Sequence, residues 1–186
     1  MSILKVARLG HPVLRKVAKP IDPAKITSAE VQHLIRDMLE TMVEYNGVGL
    51  AAPQVHASVR LVICGGEEDG EGRTVLRCLI NPEITATTEE LYGMWEGCLS
   101  VPGMRGFVER PARITVKAYN EKGEAISLDL EGFPAVVVQH ECDHLDGVLY
   151  VDRLKDTKLL AFEEEAERYL LLEGEGTELT SEEGTG

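Results

Sequence analysis

Two histidines four residues apart, His140 and His144, enclose a glutamate in "HECDH" at 140–144. On an α-helix, residues four apart share one face roughly 6 Å apart, so both imidazoles can bind one ion. Glu141 is rotated about 100° from His140, close enough to handle the proton of a water at that ion without replacing it as a ligand. This is the helical pattern of a catalytic zinc or iron site. A hydrolytic centre takes three protein ligands and leaves a fourth position open for water. The third ligand therefore decides the chemistry, and His144 is the last histidine in the chain.

Two kinds of residue can supply that ligand. Glu163, Glu164 and Glu165 lie about twenty residues past His144, a spacing some zinc proteases use. They belong to an acidic run that reads more simply as a solvated helix face. Upstream, Cys98 stands in "EGCLSVPG", a tight, irregular segment able to present a thiolate and backbone N–H groups to an ion. Taken alone, such a cysteine is more often a small buried hydrophobe.

The elements that must position these residues follow from periodicity. "PAVVVQHECDHLDG" predicts a helix with Pro134 in its first turn and Gly147 just past its end. Three consecutive valines are poor helix formers in water, so this helix is expected to be buried and packed on all sides. "TSAEVQHLIRDMLETMVEYNG" predicts an amphipathic helix with a Thr27/Glu30 capping box and a stop at Asn46-Gly47. Val31, Leu34, Ile35, Met38, Leu39, Met42 and Val43 form its apolar face, and His33 falls on the polar side.

Strands are predicted at 59–64, 75–84 and 113–119, and a turn at 120–123 leads into "EAISLDL". Residues 65–73 form a hairpin loop. A last helix is expected over Asp156–Leu172. Together these elements predict an α+β fold. Antiparallel or mixed strands pack around a buried central helix that carries the histidines, with one helix near each terminus.

The 186 residues suit one catalytic domain over 1–172 with an acidic, disordered tail over 173–186. A net charge of −13 offers no basic stripe for nucleic acid. No apolar run reaches the length of a membrane span, and the N-terminus shows no signal peptide. Cys64, Cys78, Cys98 and Cys142 are too sparse for a disulfide scaffold, which points to a cytoplasmic protein with free thiols.

"GVGLAAPQ" (47–54), "EGCLS" (96–100) and "HECDH" (140–144) resemble, in order and approximate spacing, the three motifs of the peptide deformylase family. The resemblance extends over roughly residues 3 to 155. It implies Cys98, His140 and His144 as ligands of one divalent ion, Fe2+ in the cell, with Zn2+, Ni2+ or Co2+ as other occupants. The ion would lower the pKa of bound water towards ~7, and Glu141 would act as general base and then acid. It also implies oxyanion stabilisation by the Gln54 amide and the Leu99 backbone N–H, with glycines such as Gly49 clearing space around Gln54.

Val136 and Val137 lie one turn before His140, forming an apolar wall suited to a methionine side chain, with Val48 and Gly49 contributing to the substrate pocket. Arg105 is a candidate for holding the substrate backbone. Cys142, two residues from each histidine, points off their face and is expected in the core. The implied activity is removal of the formyl group from the N-terminal formyl-methionine of new polypeptides. Contact with the ribosome is expected to be transient and not through the acidic tail. Three other readings are a hydrolase of another small N-acyl amide, a silent peptide-binding relative, and a zinc endopeptidase in which a glutamate of 163–165 replaces Cys98.

Overall fold

A strand buried on both faces reads as a continuous apolar run, and "LVIC" is such a run. It lies in β2 (Leu61–Glu68) and is covered by a different helix on each side. Leu61 and Ile63 face α1 (Ala29–Glu44), packing with Ile35, Met38 and Met42. Val62 and Cys64 face α2 (Phe133–Leu145), packing with Ala135, Val138, Cys142 and Leu145. The period of two along the strand therefore builds both halves of the core.

The computed structural model describes residues 2–170. A five-stranded antiparallel sheet runs in the order β1 (Gly49–Ala51), β2, β3 (Thr74–Thr87), β6 (Arg113–Tyr119) and β7 (Ala125–Glu131). A second antiparallel sheet joins β4 (Leu91–Cys98), β5 (Val101–Pro111) and β8 (Leu160–Phe162) in that order. The short helix α3 (Glu163–Tyr169) follows β8. The α+β architecture around a buried central helix is the one expected, and every ladder within the two sheets is antiparallel.

Helix α2 explains its own valines. Ala135, Val138, Cys142 and Leu145 fall at helical spacing on the face packed against the large sheet. Val136, His140 and His144 form a second line at steps of four, and every residue from Ala135 to Leu145 is buried. Pro134 sits in the first turn, where its missing N–H costs no helical bond. Gly147 beyond the end has φ +76°, and a Cβ there would meet the Arg15 backbone at 2.9 Å.

Four local expectations change, the first being that residues 65–68, expected in the hairpin loop, extend β2 to Glu68. The N-cap of α1 is Ser28, whose Oγ accepts from the Val31 N–H, so Thr27 does not cap it. Cys98 is the last residue of β4, where the pairing with β5 slips between Gly97 and Cys98, because "EGCLSVPG" is the tip of the β4–β5 hairpin, with Leu99 and Ser100 in the turn. The helix expected over Asp156–Leu172 is instead a 3-10 turn at Thr157–Leu159, strand β8 and then α3. Backbone pairing of β8 with β5 overrides the helical propensity there. The tail assigned to 173–186 lies outside the described residues.

Candidate metal centre

Three elements far apart in sequence converge at the His140–His144 line of α2. The helix brings His140 and His144, whose ring centroids are 5.1 Å apart. The β4–β5 hairpin brings Cys98, whose Sγ is 3.3 Å from His144 Nε2. One ligand atom from each of Cys98, His140 and His144 lies within 4.8 Å of the others, the single such cluster among the described residues. The 3-10 turn Ala52–Val55 brings Gln54, which is fully buried.

Gln54 is oriented by its surroundings. Its Oε1 accepts from the Ala51 N–H at 2.7 Å, which turns its Nε2 towards Ser100 Oγ at 3.2 Å and Cys98 Sγ at 3.6 Å. The Ser100 N–H also points to Cys98 Sγ, at 3.4 Å. Both donors hold the sulfur in place at the tip of the hairpin. Leu99, between these residues, lines the cleft and packs towards Gly47.

His140 is held from behind. Its Nδ1 lies 2.7 Å from Glu96 Oε2, which leaves Nε2 to face the cluster, and its ring stacks on Tyr150 at 6.0 Å. Glu96 is itself clamped by Arg110, through Nε at 2.6 Å and Nη2 at 3.0 Å. Arg110 continues to Asp143 at 2.8 Å, and Arg153 closes the chain on Asp143 at 2.6 Å. Burial alone would raise the Glu96 pKa, but hydrogen bonds from His140 and Arg110 outweigh it and keep the carboxylate charged. A buried network of alternating charge adds little net stability, but it fixes a ring orientation.

The sequence reading gave Glu96 no role, although a signal was present. On a strand, residues two apart share a face, so Glu96 and Cys98 must point the same way. Asp143 joins the buried network, while Asp146 pairs with Arg60 at 2.6 Å on the outside.

The donor set suits a divalent cation. Burial lowers the His144 pKa far below its usual value, aided by His140, and leaves a neutral imidazole. Burial also opposes a proton on His140, yet hydrogen bonds to Cys98 and Glu96 hold its pKa well above the usual value. Anionic groups thus draw positive charge to this point. Glu141 carries the matching orphan: its Oε2 is buried without a hydrogen-bond partner, an arrangement that calls for an ion or water. Burial pushes the Glu141 pKa up to about 7, where a carboxyl can take and return a proton at neutral pH.

Gln54, Glu96, Cys98, Leu99, His140 and Glu141 line one cleft of about 1230 Å³, with His144 buried behind it. Val48, Gly49, Phe133, Val136 and Val137 line it beside His140 and Glu141, while Arg105 and Glu163 line its rim. Glu163 Oε1 accepts from Arg105 Nε at 2.9 Å and takes no part in the Cys–His–His cluster. Cys142 is buried in the core on the opposite face of α2, with its thiol pushed up to about 12 by burial.

Gly49 makes room for Glu141. A Cβ at position 49 would lie 2.8 Å from Cδ and 2.9 Å from Cγ of Glu141, and nearer still to its Oε1. Gly49→Ala is therefore expected to displace the carboxylate, lowering kcat about 10²-fold, the cost of an ångström-scale misplacement. Steady-state kinetics beside a melting curve checks this; a proportional fall in folded protein would point to the fold instead.

Fold and cluster together define the class: an α+β hydrolase built around one buried ion-binding centre. The polypeptide deformylase family model matches residues 3–159. Peptide deformylase of Leptospira biflexa is 46% identical over 170 residues, covering 89% of this chain and 95% of that one. The Met-Ala-Ser-bound crystal structure of class I type b peptide deformylase from Acinetobacter baumannii superposes with a TM-score of 0.78. It is 39% identical and covers 82% of this chain and 99% of that chain. An actinonin complex of peptide deformylase from Synechococcus elongatus is 41% identical, with a TM-score of 0.74 over 82% of this chain and 79% of that one. The chain belongs to the polypeptide deformylase family.

Proposed function

We propose that this enzyme removes the formyl group from N-formyl-methionyl polypeptides in the cytoplasm, using one ferrous ion held by Cys98, His140 and His144. The observation that carries the reading is that the donor set, two of whose members line the cleft, stands beside Glu141, which lines the same cleft and whose Oε2 is unpartnered. The ion would supply Lewis acidity, polarising the formyl carbonyl and making water a nucleophile at neutral pH. One thiolate and two imidazoles also suit zinc, nickel or cobalt, so availability and oxidation state set the occupant.

The chain's own groups do the rest. Glu141 takes a proton from the attacking water as the new C–O bond forms at the formyl carbon. It returns that proton to the amine nitrogen as the C–N bond breaks, leaving formate and a free methionyl N-terminus. Charge building on the formyl oxygen is met by Gln54 Nε2, already oriented by Ala51, and by the Leu99 N–H. Val48, Val136 and Val137 hold the methionine side chain away from water, on the cleft wall next to His140. Arg105 at the rim engages the peptide beyond it.

Residues 1–172 form a single catalytic domain in this reading, and the encounter with ribosome-borne chains is transient, with no part played by the acidic tail. No helix among the described residues is long and apolar enough to cross a membrane. The test is formate release from formyl-Met-Ala-Ser by anaerobically purified, iron-loaded protein. Turnover in the ordinary enzyme range of ~1–10³ s⁻¹ is expected. Protein that holds its metal and leaves the formyl group in place, while cleaving another N-acyl amide, would transfer the reading to that substrate.

A further inference from the structure

At the rim of the cleft Arg105 is paired with Glu163, a carboxylate to which the reaction above gives no role. Strand pairing sets Arg105 opposite Gly97 on the β4–β5 hairpin and opposite Ala161 on β8. A Cβ on Gly97 would lie 2.9 Å from Arg105 Cζ, so the guanidinium lies across the backbone one residue before Cys98. β8 ends at Phe162 and Glu163 opens α3, which delivers the Glu163 carboxylate to the same guanidinium. Its Oε1 accepts from both Nε, at 2.9 Å, and Nη2. Both side chains keep more than a third of their surface in solvent, at 35% and 38%, and both line the cleft.

We propose that Glu163 determines the charge preference of the cleft for the residues that follow the formyl-methionine. The proposal rests on the deformylase reading. Arg105 alone would offer a cation within one or two extended residues of the reacting bond, at roughly 3.3–3.6 Å per residue. Acidic side chains at the second or third substrate position would then be drawn in and lysines repelled. By occupying the guanidinium, Glu163 cancels that bias and lets one cleft accept chains of either charge. An enzyme acting on many different N-termini gains breadth from such cancellation, because specificity is a difference between affinities.

The test compares formyl-Met-Ala-Asp and formyl-Met-Asp-Ser with their lysine counterparts. In Glu163→Gln the acidic-to-lysine ratio of kcat/KM is expected to rise about two- to fivefold, the range of a partly exposed ion pair. The rise should shrink in 0.5 M salt. Glu163→Gln combined with Arg105→Gln should restore the wild-type ratio, which a merely structural role for Glu163 does not predict. The backbone ladder between β5 and β8 and the buried Ala166 hold α3 in place without the ion pair. Calorimetric Kd values for Met-Ala-Asp and Met-Ala-Lys give the same ratio without any reaction. An unmoved ratio in Glu163→Gln, or a raised one that persists in the double variant, overturns the proposal. If the wild type fails on formyl-Met-Ala-Ser, the deformylase reading falls, and the product-peptide ratio still decides the role of Glu163.

Discussion

Glu141→Gln is expected to lower kcat by about 10²–10⁴-fold, the usual contribution of a positioned general acid–base. Bound metal, measured by elemental analysis, should stay at the wild-type level. The substitution keeps the shape of the side chain and removes its basicity. Glu141 lies outside the Cys98–His140–His144 cluster, so the donor set is untouched. Its carboxylate is buried against Gly49 with Oε2 unpartnered, so no neighbouring group can take over the proton. KM should change little, because the group acts on the water rather than on the peptide. A variant that lost its ion along with its rate would make Glu141 a ligand, and one that kept full rate would remove it from the chemistry.

How much of this site was legible in the sequence depends on how local each part is. His140, Glu141 and His144 share one helix, and a period of 3.6 is enough to relate them. The burial of that helix was legible too, since three adjacent valines make sense only between packed layers. Cys98 differs: it meets His144 across 46 residues, and no local period connects a strand end to a helix. Only the resemblance of three motifs singled it out.

The hairpin that carries Cys98 was unreadable for a related reason. Its strands contain Gly93, Gly97 and Gly106, which resemble loop residues when counted by propensity. Gly93 and Gly106 make room for rings that only the fold supplies, and Gly97 lies under the Arg105 side chain. A Cβ would meet Phe107 Cε1 at 3.1 Å from Gly93, Arg105 Cζ at 2.9 Å from Gly97, and Tyr150 Cε2 at 2.9 Å from Gly106. Strand β8 escaped notice because its partner β5 lies more than fifty residues earlier. Glu163 was thereby hidden in an acidic run, where only the strand's register shows that one carboxylate turns inward.

Cys98→Ala is expected to weaken metal binding by more than the ~10–100-fold that loss of a supporting residue typically costs, because it removes one of three ligands. Activity should fall with metal content and return only partly in excess ion. The reason lies in what remains. His140 and His144 alone give two imidazole donors, and the Ser100 N–H and Gln54 amide that face the sulfur would be left pointing at a methyl group. Those donors would repel a cation that the thiolate had made welcome. Glu96 cannot move in as a replacement, because Arg110 and His140 already engage both its oxygens. Glu163 is tied to Arg105. Metal content of Cys98→Ala beside Glu163→Gln, by elemental analysis after dialysis, separates the two possible centres. Loss in the first and retention in the second agrees with the Cys–His–His centre, and the reverse pattern would make this a glutamate-ligated zinc site and return the endopeptidase reading.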